Sequence, residues 1–314
     1  MYEARIEKDS ITQYGERLTT FVVTFPRIVL AEFNTHKMLS KSSASSRAIP
    51  VKTQIERLYN DVFEPVSWGK NQKGMQAEED LGPEECKKAR DIWNEAMYSA
   101  IKSAELLGDV GVHKQITNRL LEPFMWHTVI VTGTEWSNFF HLRANKMAQP
   151  EIQKAAVMMD ELYRASRPKL LGEGEWHLPF ESDEEAAYAK AGSGPYELDE
   201  RIKISVGRSA RVSFNNHDGT RDPIADIRLA NTLLTNGHMA PWEHVARPMR
   251  DYERSLFGRR RVFADAKPRA TASIFTESHP WTHGEEQYFC GNFNGFIQAR
   301  KLIHGEQDIL AFER

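Results

Sequence analysis

The stretch TFVVTFPRIVLAEFNTHKMLSKSSASSR, residues 20–47, changes character midway, and that change decides how the chain is read. Its first half is rich in Val, Phe, Thr and Ile, which suit a pleated, half-buried surface. Pro26 marks a break, so residues 18–33 are expected to form one or two β segments. From Phe33 to Arg47 the composition turns polar: five Ser, one His and three cations (Lys37, Lys41, Arg47), with neither Gly nor Pro. Arg offers a planar charged fork and Ser short neutral hydrogen bonds, the donors a phosphate monoester takes. The plain alternative is a solvated turn in which Ser residues cap a helix start.

The rest of the chain narrows the class. Its 314 residues are enough for about two domains or one large one. Apolar residues make up 40% and charged residues 27%, as in a globular protein, and a net charge of -3 excludes the overall basic field of a nucleic-acid binder. An anionic ligand must therefore be held by a local cluster. No apolar run approaches the ~18 residues of a membrane-spanning helix. The opening MYEARIEKDS lacks the apolar core of a signal peptide. Cys86 and Cys290 form no metal or disulfide pattern. A cytoplasmic protein acting without nucleic acid or membrane is the expectation.

Periodicity predicts a helix over 83–108, where Ala89, Ile92, Trp93, Ala96, Met97, Ala100, Ile101 and Ala104 recur at helical spacing between Pro83 and Gly108. A short helix is expected over 113–121, ending before Pro123, and another over 150–166, with Ile152, Ala155, Ala156, Met159 and Leu162 on one side. Residues 126–134 read as strand, 68–82 as loop, and 201–214 as strand from their β-branched content. Asp222, Pro223 and Gly237 punctuate a helix over 222–237, and 291–305 reads as a further helix. Helices and strands come in clumps, which favours an α+β fold over regular βαβ units. The Gly-rich, acidic run 171–200 looks like an exposed connector between a half spanning 1–170 and a half spanning 201–314, or a join within one intertwined domain.

Four further segments concentrate chemistry. In SNFFHLRANKMAQPEI (137–152), a helix would set Asn138 and His141 one turn apart, and Arg143 needs a partner, a ligand or an exit to water. In NGHMAPWEHVARPM (236–249), His238, Glu243 and His244 invite a metal, but the spacing is not H-E-x-x-H and Pro241 interrupts any helix between the two His. No metal site is therefore expected, and a cofactor cap or a helix exit packed on Trp242 is the better reading. RLLEP (119–123) offers Arg119 as an anion contact or a surface residue. GRRRVF (258–263) and HPWTH (279–283) read as solvated loops. Neither common glycine-loop phosphate cradle is present.

Together these segments resemble the flavin-dependent thymidylate synthases. That family's signature is R-H-R, a Ser three residues on, then N-E-x-S-x-R. Here THKMLSKSSASSR keeps His36, Ser40, Ser45 and Arg47, while Thr35 and Lys37 replace the two Arg, and Ser42 and Ser43 replace Asn-Glu. The family's R-x-x-x-P is matched by Arg119–Pro123, N-F-L-x-L-R-x-x-x-x-A-Q-x-E-I by NFFHLRANKMAQPEI, G-H-x-[ST]-P-F-E-H by GHMAPWEH, and A-R-V-S-Y, read as a strand, by SARVSF (209–214). In the common layout the last two precede the signature; here they follow it, so the chain looks like a permuted, enlarged relative.

The resemblance implies a central, mostly antiparallel sheet with flanking helices. It implies FAD as cofactor, NADPH and methylenetetrahydrofolate as co-substrates, and conversion of dUMP to dTMP in a homotetramer, or a dimer if the chain is enlarged by duplication. By position, Ser43, Ser45, Ser46, Arg47 and Arg119 would bind the nucleotide, with Arg143 at the pyrimidine edge. His36, Lys37, Asn138, His238 and Glu243 would face the flavin, and His36, Lys37 and Arg143 would carry the chemistry. Loss of a carboxylate at Ser43 leaves open a dCMP substrate or a hydroxymethyl product. The substitutions at Thr35, Ser42, Ser43 and Ala240 leave open a non-catalytic nucleotide-binding relative.

Overall fold

The computed structural model describes residues 1–43, 45–192, 194–214, 222–257, 292–303 and 306. In chain order the strands are β1 (Glu3–Ile11), β2 (Arg17–Pro26), β3 (Ser40–Ser43), β4 (Trp126–Gly133), β5 (Lys169–Leu170), β6 (Ala246–Pro248) and β7 (Phe296–Gln298). The helices are α1 (Leu30–Asn34), α2 (Val51–Asn60), α3 (Pro83–Asp109), α4 (Lys114–Thr117), α5 (Ser137–Arg143), α6 (Pro150–Ala165), α7 (Asp183–Lys190), α8 (Leu198–Phe214), α9 (Pro223–Thr235) and α10 (Asp251–Phe257). The first five strands form one sheet in the order β3-β4-β2-β1-β5, and β6 pairs with β7 apart from it. Pairing is antiparallel except between β1 and β5. The fold is the expected α+β, with a central, mostly antiparallel sheet and flanking helices.

Alternation along β2 gives the sheet two different faces. Phe21, Val23 and Phe25 point to one side and join Val129 and Val131 of β4 in the main core. α5 and α6 close that side through Phe139, Phe140, Ile152, Ala155, Ala156 and Met159, and Trp136 meets Phe21 edge to face at 4.9 Å. Burying each such aromatic stabilises the fold by about 1.5–3 kcal/mol. The opposite face carries Ser40 and Ser42 of β3, Thr132 of β4, Thr20 of β2 and Ser10 of β1, all buried. α8 packs over β3 and β4 on this side. α2, α3 and the segment 118–124 build a separate cluster around Leu58, Met97, Ile101 and Leu121.

Several expectations hold. α3 begins at Pro83 and buries Met97, Ile101 and Ala104, although Ile92 and Ala96, assigned to the same face, are exposed. Asp222 caps α9 by accepting from the amides of Ile224 and Ala225, and Gly237 turns at φ 69° after it. Others need correction. Residues 201–214 are helix, not strand. Ile202, Val206 and Ala210 recur every four residues along α8, and Gly207 lets α9 approach so closely that a Cβ there would lie 2.4 Å from the Asp226 carbonyl oxygen. β-branched composition concealed that helical period.

The run 171–200 is exposed along much of its length but anchored at its middle: His177 and Leu178 are fully buried, and Ser182 and Glu185 form a reciprocal cap on α7. Within 291–305, the described residues form β7 and a short 3-10 turn rather than a helix. Gly295 sits at φ 73°, and Phe296, Ile297 and Gln298 are buried as strand. Helical structure after His113 does not stop before Pro123 but continues as a 3-10 helix through Phe124. β1, nine residues rich in charged side chains, and β3, four polar ones, were not anticipated as strands.

Candidate functional site

The polar half of the opening stretch wraps the free edge of the sheet. α1 ends at Asn34, Thr35 and His36 turn the chain, and β3 then pairs with β4. Arg143, in the last turn of α5, donates from Nε to His36 Nε2 at 2.9 Å, and its Nη2 lies 3.4 Å from Thr35 Oγ1. His36 is 9% exposed and edge-on to Phe139. Burial first, then the charges of Arg143 and Lys41, push its pKa down to about 4. Its Nε2 accepts from Arg143, so its proton sits on Nδ1, and the ring is a neutral acceptor that holds the guanidinium in place.

Lys41, counted among the cations of the opening stretch but given no role of its own, donates from Nζ to the His36 carbonyl. Burial and the neighbouring Lys37 lower its amine to about 8, against the pull of Glu243. Glu243 belongs to a short 3-10 helix at Ala240–Glu243 and is bound by Arg300 at 2.6 Å; Arg300 also holds Glu306. Segments some 200 residues apart in sequence thus meet at the start of β3. The alternation of β3 put Lys41 on the His36 side, a signal readable once the strand is known. Arg300 lay in a stretch read as helix and had none.

Beyond the far end of β3 lies a second polar group. Asn118 Nδ2 donates to the carbonyls of Ser46 (2.6 Å) and Ile49 (2.9 Å), which ties the Ser45–Arg47 turn to the segment that carries Arg119. The Ser46 hydroxyl is buried without a partner and opens on a small hollow lined by Arg27, Ser45, Gln54, Arg57 and His127. Arg47 is exposed, with no ion pair among the described residues. Arg119 turns instead to Glu122 at 2.8 Å; Glu122 also takes Arg27, which contacts His127. Burial, with Arg27 adding to it, pushes His127 down to about 3. Arg27 and Arg57 were not expected here: Arg27 sits in a stretch read for its apolar neighbours, and the segment around Arg57 carried no motif.

The remaining expected residues are scattered. Asn138 and His238 are exposed, with no side-chain partner among the described residues. His244 is fully buried, so the two His of NGHMAPWEH do not share a site. Ser43 is half-buried on the same side of β3 as Lys41. GRRRVF, HPWTH and Cys290 lie outside the described residues. Among the described residues no helix is long and apolar enough to cross a membrane.

Residues 17–169 match the model of the family described as thymidylate synthase complementing protein. That span takes in the signature, Arg119–Pro123 and NFFHLRANKMAQPEI, and stops short of SARVSF and GHMAPWEH. No curated protein matches the chain. Among solved structures, a UMP/dUMP methylase PolB from Streptomyces cacaoi, bound with 5-Br UMP, is 14% identical over 52% of this chain and 88% of that one, with a TM-score of 0.41, too loose a likeness to support any argument.

Proposed function

We propose, for a chain whose residues 17–169 match the thymidylate synthase complementing protein family, that it methylates C5 of a pyrimidine deoxynucleotide, taking dUMP to dTMP. The observation that carries this reading is the 2.9 Å bond from Arg143 to a buried, neutral His36, which joins the signature to NFFHLR inside the matched span. Arg143 keeps further N–H donors beyond those two contacts. They are suited to a pyrimidine edge on which negative charge develops, and a preset cation stabilises that charge without reorganising. Ser45, Ser46, Arg47 and Arg119 are suited to the phosphate by charge-assisted hydrogen bonds. β3, the edge strand between the two polar groups, would run beside the nucleotide, with Ser43 facing it.

Lys37, Asn138 and His238 expose donors that no described residue uses, chemistry that fits the phosphates and ring edge of FAD. Glu243 and His36 would complete that set. Bound flavin would supply hydride transfer from NADPH and handling of the one-carbon unit from methylenetetrahydrofolate. The amine of Lys41, lowered to about 8, can give or take a proton near neutral pH beside the reacting groups. A cytoplasmic homo-oligomer, a tetramer or a dimer, would let copies share one site. The decisive experiment incubates the enzyme with FAD, dUMP or dCMP, methylenetetrahydrofolate and NADPH, followed by mass spectrometry of the nucleotide. A methyl gain on dUMP is expected. A hydroxymethyl gain, or reaction of dCMP alone, would select the sister chemistry, and no gain on either nucleotide would overturn the enzyme reading in favour of a binding protein.

A further inference from the structure

Helix α3 carries a second regular face besides the one it buries. Met97, Ile101 and Ala104 pack into the cluster around Leu58 and Leu121. Roughly a third of a turn away, Ala89, Ile92, Ala96, Ser99, Ser103 and Leu106 recur at alternating steps of three and four residues. Ile92 is 57% exposed and Leu106 55%; Ala96, Ser99 and Ser103 are exposed, and Ala89 is half-buried. The Ser103 hydroxyl already donates to the Ser99 carbonyl at 2.8 Å, so covering it strands no proton. Alternating three and four is the spacing of a seam along which one helix packs on another, and no described element covers this one.

Beside the seam, on the side away from the core, lie Lys88, Glu95, Lys102 and Asp109, seven residues apart and alternating in sign. All four are exposed, and none makes an ion pair among the described residues. A series of plus, minus, plus, minus is its own complement when reversed. A second copy of α3 laid antiparallel therefore sets Lys88 against Asp109 and Glu95 against Lys102, and a two-fold axis repeats both pairs. Copies laid parallel in register would set like charge against like.

The register that pairs these charges also places Leu106 opposite Ala89, Ile92 opposite Ser103, and Ala96 opposite Ser99. Each large side chain meets a small one, so the two rows interdigitate. The neighbouring antiparallel register, with Ser99 opposite Ser103, would bring Ile92 against Val110 and Glu95 against Asp109, large on large and like on like. Charge and shape thus select the same arrangement.

We propose that this face of α3 is the docking surface for a second copy of the chain, packed antiparallel about a two-fold axis near Ala96 and Ser99. The contact needs nothing from the nucleotide reading. Sedimentation of the full chain over a wide range of concentration tests it without any nucleotide present. The wild type is expected to form an even-numbered oligomer. K102E sets two carboxylates against each other, twice per pair of helices, and should weaken association by about tenfold and halve the sedimenting mass at low concentration. E95K should do the same. The double swap E95K/K102E restores opposite signs across the seam and should return the wild-type mass. All three variants leave the buried face of α3 untouched. A wild-type chain that sediments as a monomer throughout overturns the proposal. So does K102E at unchanged mass, or a double swap that associates no more tightly than either single variant.

Discussion

The two faces of the central sheet are built on opposite principles. One buries Phe21, Val23, Phe25, Val129 and Val131 against two helices from the same half of the chain. The other buries Ser10, Thr20, Thr132 and Ser42, and meets the remainder of the chain through His177 and His244. Apolar packing is non-directional and tolerates small misfits. Hydrogen-bonded burial is all or nothing, because each polar group left unpaired costs more than a made bond returns. The polar face therefore specifies where the second half sits, and the apolar face supplies most of the stability beneath it.

Acid should separate the faces by the largest margin. Burial holds His244 down to about 3 and His177 well below its ordinary value, so both fold neutral. A depressed histidine contributes stability that is complete above its unfolded pKa near 6.5, and that stability is lost as pH falls from there toward the folded value. His244 alone should lose on the order of 3 kcal/mol by pH 4, and His177 adds a loss of the same sign. His36 and His127, at the ends of the sheet, shift in the same direction. Urea unfolding at pH 7 and at pH 4.5 measures the difference. Equal stability at the two values would mean that the polar face is hydrated and not sealed.

On the apolar side, Phe21→Ala should cost about 3–5 kcal/mol at every pH, as a cavity under Trp136 that neighbours refill only in part. The diagnostic is its parallel loss at pH 7 and pH 4.5, since no residue of that core cluster titrates between those values. A pH-dependent penalty would instead show that the two faces unfold as one unit coupled through the strand.

The same contrast explains what could be read from the sequence. The apolar face is legible because Phe21, Val23 and Phe25 alternate with Thr20, Val22 and Thr24, and because α6 spaces Ile152, Ala155, Ala156 and Met159 helically. The signature residues His36 and Arg143 were identifiable, and the structure brings them into contact. The polar face was not legible. A Thr or Ser in a strand reads the same whether it faces water or an imidazole, and His177 lay in a run whose Gly and acidic residues marked it as exposed. Arg119 was chosen as an anion contact, yet its charge is shared with Glu122. α8 failed for a different reason: Ile202, Val206 and Ala210 carry a helical period, but β-branched residues outvote it when composition is weighed first.

The smallest expected effect is the sharpest test of the comparison, because it uses one substitution at two places on one face. Thr24 pairs with Thr128 at 2.9 Å, part-buried, whereas Thr132 bonds both Thr20 and His244. Thr24→Val should change stability by less than about 0.5 kcal/mol, since the hydroxyl of Thr128 can turn to water. Thr132→Val removes the hydroxyl that both Thr20 Oγ1 and His244 Nδ1 bond in a buried setting, and should cost about 1–3 kcal/mol for an isosteric change. Calorimetric melts of the two variants read the gap directly. If both are neutral, the hydroxyls of Thr20 and Thr132 reach water and the polar face is a wet seam. If both are costly, the whole face, and not the histidine contacts alone, fixes the second half in place.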